Sequence, residues 1–323
     1  MTAGTESLVG RRLVVENLKS LAVYLLFLQA FASGSAQKEP YGVELGDFEG
    51  QTGLGVTGKV YAVDEKNLYI KDFTYDGKED AFFWVGTDEN PSAEGIIVKY
   101  PEGANNTEEP RKLPALNNVS FLLRLPQSTT IRSIKSLAVW NPEKTESLGS
   151  VVIPKDVSVP VPKVLPEFSR LAHDLRSGNV TILDARTFLI PDLHYDGKGP
   201  DAYFMVGNGS KPHGKGTKVP NELGDLNVLR AYRGQTIAIQ LPENLTVYNI
   251  DWLVMWCIQY KHNFGYVTIP KDLNVPPALG QNKIGVLSRL ILSLPRSSLW
   301  IAKSCVLSPR AINNKLSENV RHQ

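Results

Sequence analysis

The stretch VTGKVYAVDEKNLYIKDFTYDGK (Val56–Lys78) decides the fold, because the chain contains it twice. Phe48, Gly58, Val60, Ile70, Asp72 and Tyr75–Lys78 recur 120 positions later as Phe168, Gly178, Val180, Ile190, Asp192 and Tyr195–Lys198. After a one-residue slip, DAFFWVG (Asp80–Gly86) matches DAYFMVG (Asp201–Gly207). The offset then becomes 116: Leu125-Pro126 matches Leu241-Pro242, Trp140 matches Trp256, and IPKD recurs at Ile153 and Ile269. Self-similarity at a fixed period marks duplicated units. Each copy spans about 110 residues, an ordinary domain size. The division of the chain follows: residues 1–36, a first domain 37–160, a second 161–282, and a tail 283–323 without counterpart. The boundary falls in VSVPVPKVLP (Val157–Pro166), where proline interrupts the pattern.

Each copy reads as all-β. The opening stretch alternates apolar and polar residues, turns at Asp64–Asn67, runs through a second strand and ends in an Asp-Gly turn. Alternation with period two places one set of side chains on a core face, and turn residues between two such runs make a hairpin. FLLRLP, SLAVW and SVVIP follow the same logic, as do TIAIQLP, DWLVMWC and YVTIP. Proline ends several runs, where a hydrogen-bonded ladder stops. No window sustains the 3.6-residue period of a long helix. The expectation is two tandem β-sandwich or barrel-like domains.

The N-terminus bears on compartment. Arg11, Arg12 and Lys19 precede the apolar run Leu21–Ala32, followed by SGSA before Gln37. This is the order of a secretory signal peptide, with cleavage expected after Ala36. The apolar run is shorter than the ~20 residues of a spanning helix, and charges and Pro295 break up the tail. A secreted chain without a membrane span is therefore expected. Five N-x-S/T sequons, at Asn105, Asn118, Asn179, Asn208 and Asn244, fit a glycoprotein. Asn118 and Asn244 fall close to strands and would need the outward face. A net charge of +2 over 323 residues, without a basic block, gives no footprint for nucleic acid.

The chemistry is sparse. There is no phosphate-binding glycine loop, no GxSxG elbow and no HExxH. The repeated YDGK invites a carboxylate role for Asp76 and Asp196, but Asp-Gly is first a turn, since glycine accepts positive φ. Asp80 and Asp201 read as turn or cap residues before their strands. Cys257, His262 and Met255 lie close enough in sequence to raise a copper site, yet His194 or His213 would have to complete it. No metal site and no cofactor are expected in this chain.

Two cysteines, Cys257 and Cys305, cannot make a disulfide framework, so packing must stabilise the domains. Alternation puts Met255 and Cys257 on one strand face and Trp252 and Trp256 on the other. Three readings of Cys257 stay open. It is a small core hydrophobe, a disulfide partner of Cys305, or a redox-active thiol, which needs partial exposure and help from Lys261 or His262. In the first copy Asn141 stands at the matching position.

The repeat resembles the DM-thirteen domain of the Skeletor family. The residues that carry the resemblance are YDG (Tyr75–Gly77, Tyr195–Gly197), the D-A-aromatic-F-x-V-G strands, TKVPNELGDLNVLRAYRGQTIAIQLPENLTVYNIDWLVMWC (Thr217–Cys257) and FGYVTIPKDLNVPP (Phe264–Pro277). The second copy matches better; the first has LPALNNVS in place of V-L-x-x-Y-x-G. The resemblance implies electron transfer with the characteristic cysteine as the redox group, which makes Cys257 the candidate site residue and the first copy a scaffold. Such pairs commonly precede a haem- or sugar-binding DOMON domain. None follows within these residues, so haem enters only through such a domain. The expected partner is an unidentified redox protein or a component of cuticle or extracellular matrix. The rival expectation is a non-enzymatic structural protein of matrix, cuticle or a spindle matrix, with Cys257 as core filling.

Overall fold

The computed structural model describes residues 41–50, 55–101 and 109–280. The expected signal peptide, Asn105, Cys305 and the tail lie outside the described residues, and so does any Cys257–Cys305 bridge.

The first repeat is built from β1 (Val43–Asp47), β2 (Glu49–Gly50), β3 (Thr57–Ala62), β4 (Asn67–Tyr75), β5 (Phe82–Gly86), β6 (Ile96–Val98), β7 (Leu116–Arg124), β8 (Ser136–Asn141) and β9 (Glu146–Val152). They form two antiparallel sheets, ordered β1-β3-β4-β7 and β2-β9-β8-β5-β6. Val60, Leu68, Ile70 and Phe73 from one sheet share a core with Phe83, Val85, Leu137, Val139 and Leu148 from the other. Two sheets face to face over one core make a sandwich, not a closed barrel.

The second repeat repeats the plan with β10 (Lys163–Val164), β11 (Thr181–Asp184), β12 (Thr187–Tyr195), β13 (Ala202–Gly207), β14 (Thr217–Val219), β15 (Tyr232–Gln240), β16 (Trp252–Cys257) and β17 (His262–Thr268). Its sheets are β10-β11-β12-β15 and β14-β13-β16-β17. Its core joins Ile182, Phe188 and Ile190 to Phe204, Leu253, Met255 and Phe264. The proline-bearing boundary is divided between the cores: Val159 is buried with the first and Leu165 with the second.

Strict alternation fails at matched places, and the one in β4 and β12 positions the repeated tyrosines. In β4, Leu68 and Ile70 are core residues, but so are Phe73 and Tyr75, of opposite parity. The register slips between Ile70 and Phe73, where Asp72 takes φ 53°. The second repeat does the same at Asp192, φ 48°, between Ile190 and Leu193. A bulge inserts one residue and inverts the phase that follows, which turns Tyr75 and Tyr195 inward. The facing strands answer with Asn118 (φ 54°) and Gly234 (φ 88°), again at matched positions. Asparagine and glycine are the residues that accept this conformation most readily.

The Asp-Gly turns form, but they are not hairpins. Gly77 and Gly197 take φ 71° and 75°, and Asp76 and Asp196 accept the backbone N–H of Lys78 (3.1 Å) and Lys198 (2.8 Å). The chain leaving Tyr75 or Tyr195 crosses to the other sheet instead of folding back. The expected hairpin closed at Asp64–Asn67 is present between β3 and β4.

Both faces of β8 and β16 are covered, and every residue of each is buried. Leu253, Met255 and Cys257 join the core, while Trp252, Val254 and Trp256 form a separate outer cluster with Tyr203 and Met205. The first repeat has a smaller counterpart, Trp84, Ala138 and Trp140. No helix among the described residues is long and apolar enough to cross a membrane.

Candidate functional site: a buried thiol under an imidazole and aromatic seam

Cys257 ends the central strand β16, opposite Ala202 of β13 on one side and His262 of β17 on the other. The thiol is free and its residue only 1% exposed. The partial exposure that a thiol exchanging with a protein partner requires is therefore absent from this conformation. Directly opposed residues of an antiparallel pair leave the same face, with Cβ atoms about 5 Å apart. His262 is thus the cross-strand neighbour of the thiol, and it is exposed where Cys257 is not. Lys261, the other residue expected to assist, sits in the connecting turn at φ 50°.

Above this strand end lies a cluster of rings. His262 is 5.8 Å from Phe264, which is 4.1 Å from His173 and 5.8 Å from Tyr195 (centroid separations). Asp196 holds the His173 ring through Nδ1 at 3.1 Å. Tyr195 is almost fully buried, and its hydroxyl accepts the Gly199 N–H at 2.8 Å. Burial is the main reason its phenol resists ionisation; the Gly199 N–H works against this, the negative charge of Asp196 adds to it, and Cys257 lies near enough to contribute. A thiol, a phenol and two imidazoles therefore meet at one end of this sandwich.

The first repeat lacks this arrangement. Asn141 is buried at the matching strand end, but its carboxamide accepts the N–H groups of Glu143 (3.0 Å) and Lys144 (3.1 Å) and donates to Glu79 (3.2 Å). Glu79 also pairs with Lys144. Tyr75 keeps the place of Tyr195, with its hydroxyl donating to the Glu79 carbonyl. Glu146 and Leu148 replace His262 and Phe264. Here the position closes a turn.

The other candidate residues do not converge. His213 packs edge-on against Trp252, 5.3 Å away on the outer face of the sheet, so it does not join Cys257 and Met255. His194 contacts Asp192 (3.1 Å) and Arg176 (3.0 Å). Among the described residues no group of three His, Cys, Asp or Glu side chains is arranged to hold a metal ion. Asp80 pairs with Lys112 at the surface, and the Asp201 carbonyl accepts the Ile258 N–H at 2.9 Å. Asn118, Asn179, Asn208 and Asn244 are all exposed. Reading the residues alone, without the packing, misses His173 and Phe264 as members of the seam. The available signal was that Tyr195 and Asp196 belong to YDG and Phe264 to FGYVTIPKD, the two most distinctive segments of the second copy.

A family model described as "Electron transfer DM13" matches residues 47–153 and again 167–269. The chain belongs to the DM13 family. It is 38% identical over 268 residues to Protein Skeletor, isoforms B/C, of Drosophila melanogaster, covering 82% of this chain and 34% of that protein. Isoforms D/E of the same protein match at 38% over the same share of this chain, which is 18% of their length. The chain thus spans about a third or less of the relatives it matches. No solved structure matches.

Proposed function

We propose that this DM13 pair is a secreted electron-transfer accessory module in which the second repeat carries the redox group, Cys257, and the first is scaffold. The observation that carries this reading is the coincidence, in one repeat only, of the free thiol with the His262–Phe264–His173–Tyr195 seam. Burial argues against disulfide exchange, which needs sulfur–sulfur contact, but an electron can leave without such contact. In the proposed step the Cys257 S–H gives one electron to a one-electron oxidant on a partner protein and its proton to His262. This leaves a thiyl radical, which can take the hydrogen atom of the Tyr195 O–H, restoring the S–H and leaving a tyrosyl radical. A one-electron donor returns the electron, and the proton comes back from His262. The partner is a redox protein, and no haem or metal is assigned to this chain. Secretion rests on the expected signal peptide and on the exposure of the four described sequons.

One observation favours a second reading. At 1% exposure Cys257 also satisfies every requirement of a small core hydrophobe. In that case the protein is a structural or interaction component of matrix or cuticle.

Differential alkylation of the secreted protein against pH, joined to titration with a one-electron oxidant, separates the two. The redox reading expects the wild type to consume one equivalent and give a sulfur- or tyrosine-centred radical, and Cys257→Ala to do neither. Equal behaviour of both, with a thiol that alkylates only on unfolding, leaves the structural reading.

A further inference from the structure

Residues 87–95 (TDENPSAEG) connect β5 to β6, and residues 208–216 (NGSKPHGKG) connect β13 to β14. The two loops are equivalent in the repeat and are built alike. Pro91 and Pro212 match, as do Gly95 and Gly216, whose N–H groups meet the carbonyls of Ser92 (3.2 Å) and His213 (3.4 Å). Each loop is strapped onto the tryptophans of its outer cluster. A Cβ on Gly95 would lie 1.9 Å from Trp84 Nε1, one on Gly216 2.7 Å from the Trp252 ring, and one on Gly214 3.3 Å from Trp256 Nε1. At Gly95 and Gly216 contact this close is open only to glycine, and Gly214 leaves little more room, so both straps lie flat against their tryptophans.

The charges, unlike the backbone, are inverted. The first strap presents Asp88, Glu89 and Glu94, and the second presents Lys211, Lys215 and the imidazole of His213, all exposed. Glu94 and Lys215 occupy the same position in the two copies. Elsewhere surface charges are commonly paired, as in Lys144–Glu79, Arg230–Glu222 and Lys271–Asp251. None of the five charged strap residues is in an ion pair among the described residues. The hydrogen bonding differs too. Trp84 donates to the Ser92 carbonyl of its own strap at 3.0 Å. Trp252 Nε1 and Trp256 Nε1, both more than nine-tenths buried, have no acceptor among the described residues. A buried donor without an acceptor costs about 1–3 kcal/mol, and Trp256 Nε1 faces the strap at Gly214. A carboxylate seated over the strap would answer the lysines, close above this unpaired N–H.

We infer that the two straps are complementary docking surfaces, and that the acidic strap of one chain binds the basic strap of a second copy. Surfaces that differ on one chain pair head to tail, which extends into a filament or closes into a ring. Complementary charge sets register and direction more than raw affinity, so the association is salt-sensitive. The inference does not depend on the role of Cys257.

Sedimentation velocity on the full chain, freed of N-glycans because Asn208 opens the basic strap, tests it. The wild type is expected to associate at roughly 50 mM salt and to weaken about tenfold or more at roughly 500 mM. D88K/E89K/E94K leaves both straps basic, and K211E/K215E leaves both acidic. Each variant alone is expected to be monomeric, and an equimolar mixture to associate again, which a misfolded variant would not do. A wild type that is monomeric at low salt, or an association that neither variant disturbs, overturns the inference. So does a mixture that stays monomeric while the basic strap retains a polyanion such as heparin.

Discussion

Asn141 and Cys257 hold the same place at the end of the central strands β8 and β16. Asn141 spends its carboxamide on the turn that follows, accepting from Glu143 and Lys144, whereas Cys257 faces His262 across the strand pair with its thiol free. One duplicated position has thus been given two tasks. Replacing Asn141 by Ala removes a buried group that satisfies two backbone donors, and is expected to cost about 1–3 kcal/mol. Chemical denaturation reads this as a lower midpoint with an unchanged slope.

Cys257 answers differently. A Ser in its place buries a hydroxyl among Met255, Phe264 and Ala202, whereas an Ala loses only packing. Cys257→Ser is expected to be the less stable of the two, by about 1–2 kcal/mol. The reverse order would mean that a polar partner for this side chain exists at the strand end.

The strap of the second repeat is held by Asp251, whose carboxylate accepts the Gly209 N–H at 2.6 Å and pairs with Lys271. The Lys271 ammonium first, and then the Gly209 N–H, hold this carboxyl below its ordinary value of 3.8. A depressed carboxyl stabilises the fold above its unfolded pKa and ceases to do so as pH falls through the folded one. Stability attributable to Asp251 is therefore present at neutral pH and lost below about pH 4. Asp251→Asn is expected to flatten that part of the acid limb in a pH series of melting temperatures.

Gly265 lies where β17 meets the segment entering the second sandwich. Ser169 N–H donates to the Tyr266 carbonyl at 3.1 Å, and Tyr266 N–H to Ser169 Oγ at 3.0 Å. A Cβ on Gly265 would fall 1.9 Å from the Ser169 carbonyl oxygen and 2.7 Å from Leu175. Gly265→Ala must displace backbone, and is expected to cost about 3 kcal/mol, the upper end of overpacking. It should also part Phe264 from His173. Gly209→Ala, with nothing within 4 Å of its Cβ, is the control that carries only the backbone cost of its positive φ.

Much of this fold can be read before any coordinate. The repeat, the outward tryptophans and the inward Met255 and Cys257 follow from offset and parity. Even the bulge leaves a trace, in that the apolar residues of β4 change parity between Ile70 and Phe73. What cannot be read is depth. Alternation assigns Cys257 to a face but does not reveal that Phe264 and Tyr195 close over it, because that depends on how two sheets meet. His173 reaches the seam through consecutive residues at φ 57° and 53°, His173 and Asp174, a conformation that both residue types tolerate but seldom adopt in succession. The opposed charges of the straps are plain in the letters, but their shared framework appears only when glycine is found against tryptophan.

Tyr232 supplies the alkaline counterpart to Asp251. It is buried on β15 with its hydroxyl 2.7 Å from Glu222, which Arg230 also holds at 2.7 Å. Burial first, then the hydrogen bond to Glu222, push its phenol far above the ordinary 10.0. The unfolded chain therefore releases this proton near pH 10 while the folded chain keeps it. A group raised in this sense gives stability that is complete below its unfolded pKa and declines as pH rises beyond it. Tyr232→Phe is expected to lose about 1.5–3 kcal/mol at neutral pH with the bond to a charged acceptor, yet to decline less steeply above pH 10 than the wild type. Tyr195, Tyr75 and Tyr248 are raised in the same direction by burial, so the slope should soften and not vanish. Denaturant midpoints measured from pH 8 to 11 would show it, and parallel curves for the two proteins would mean that Tyr232 ionises as readily folded as unfolded.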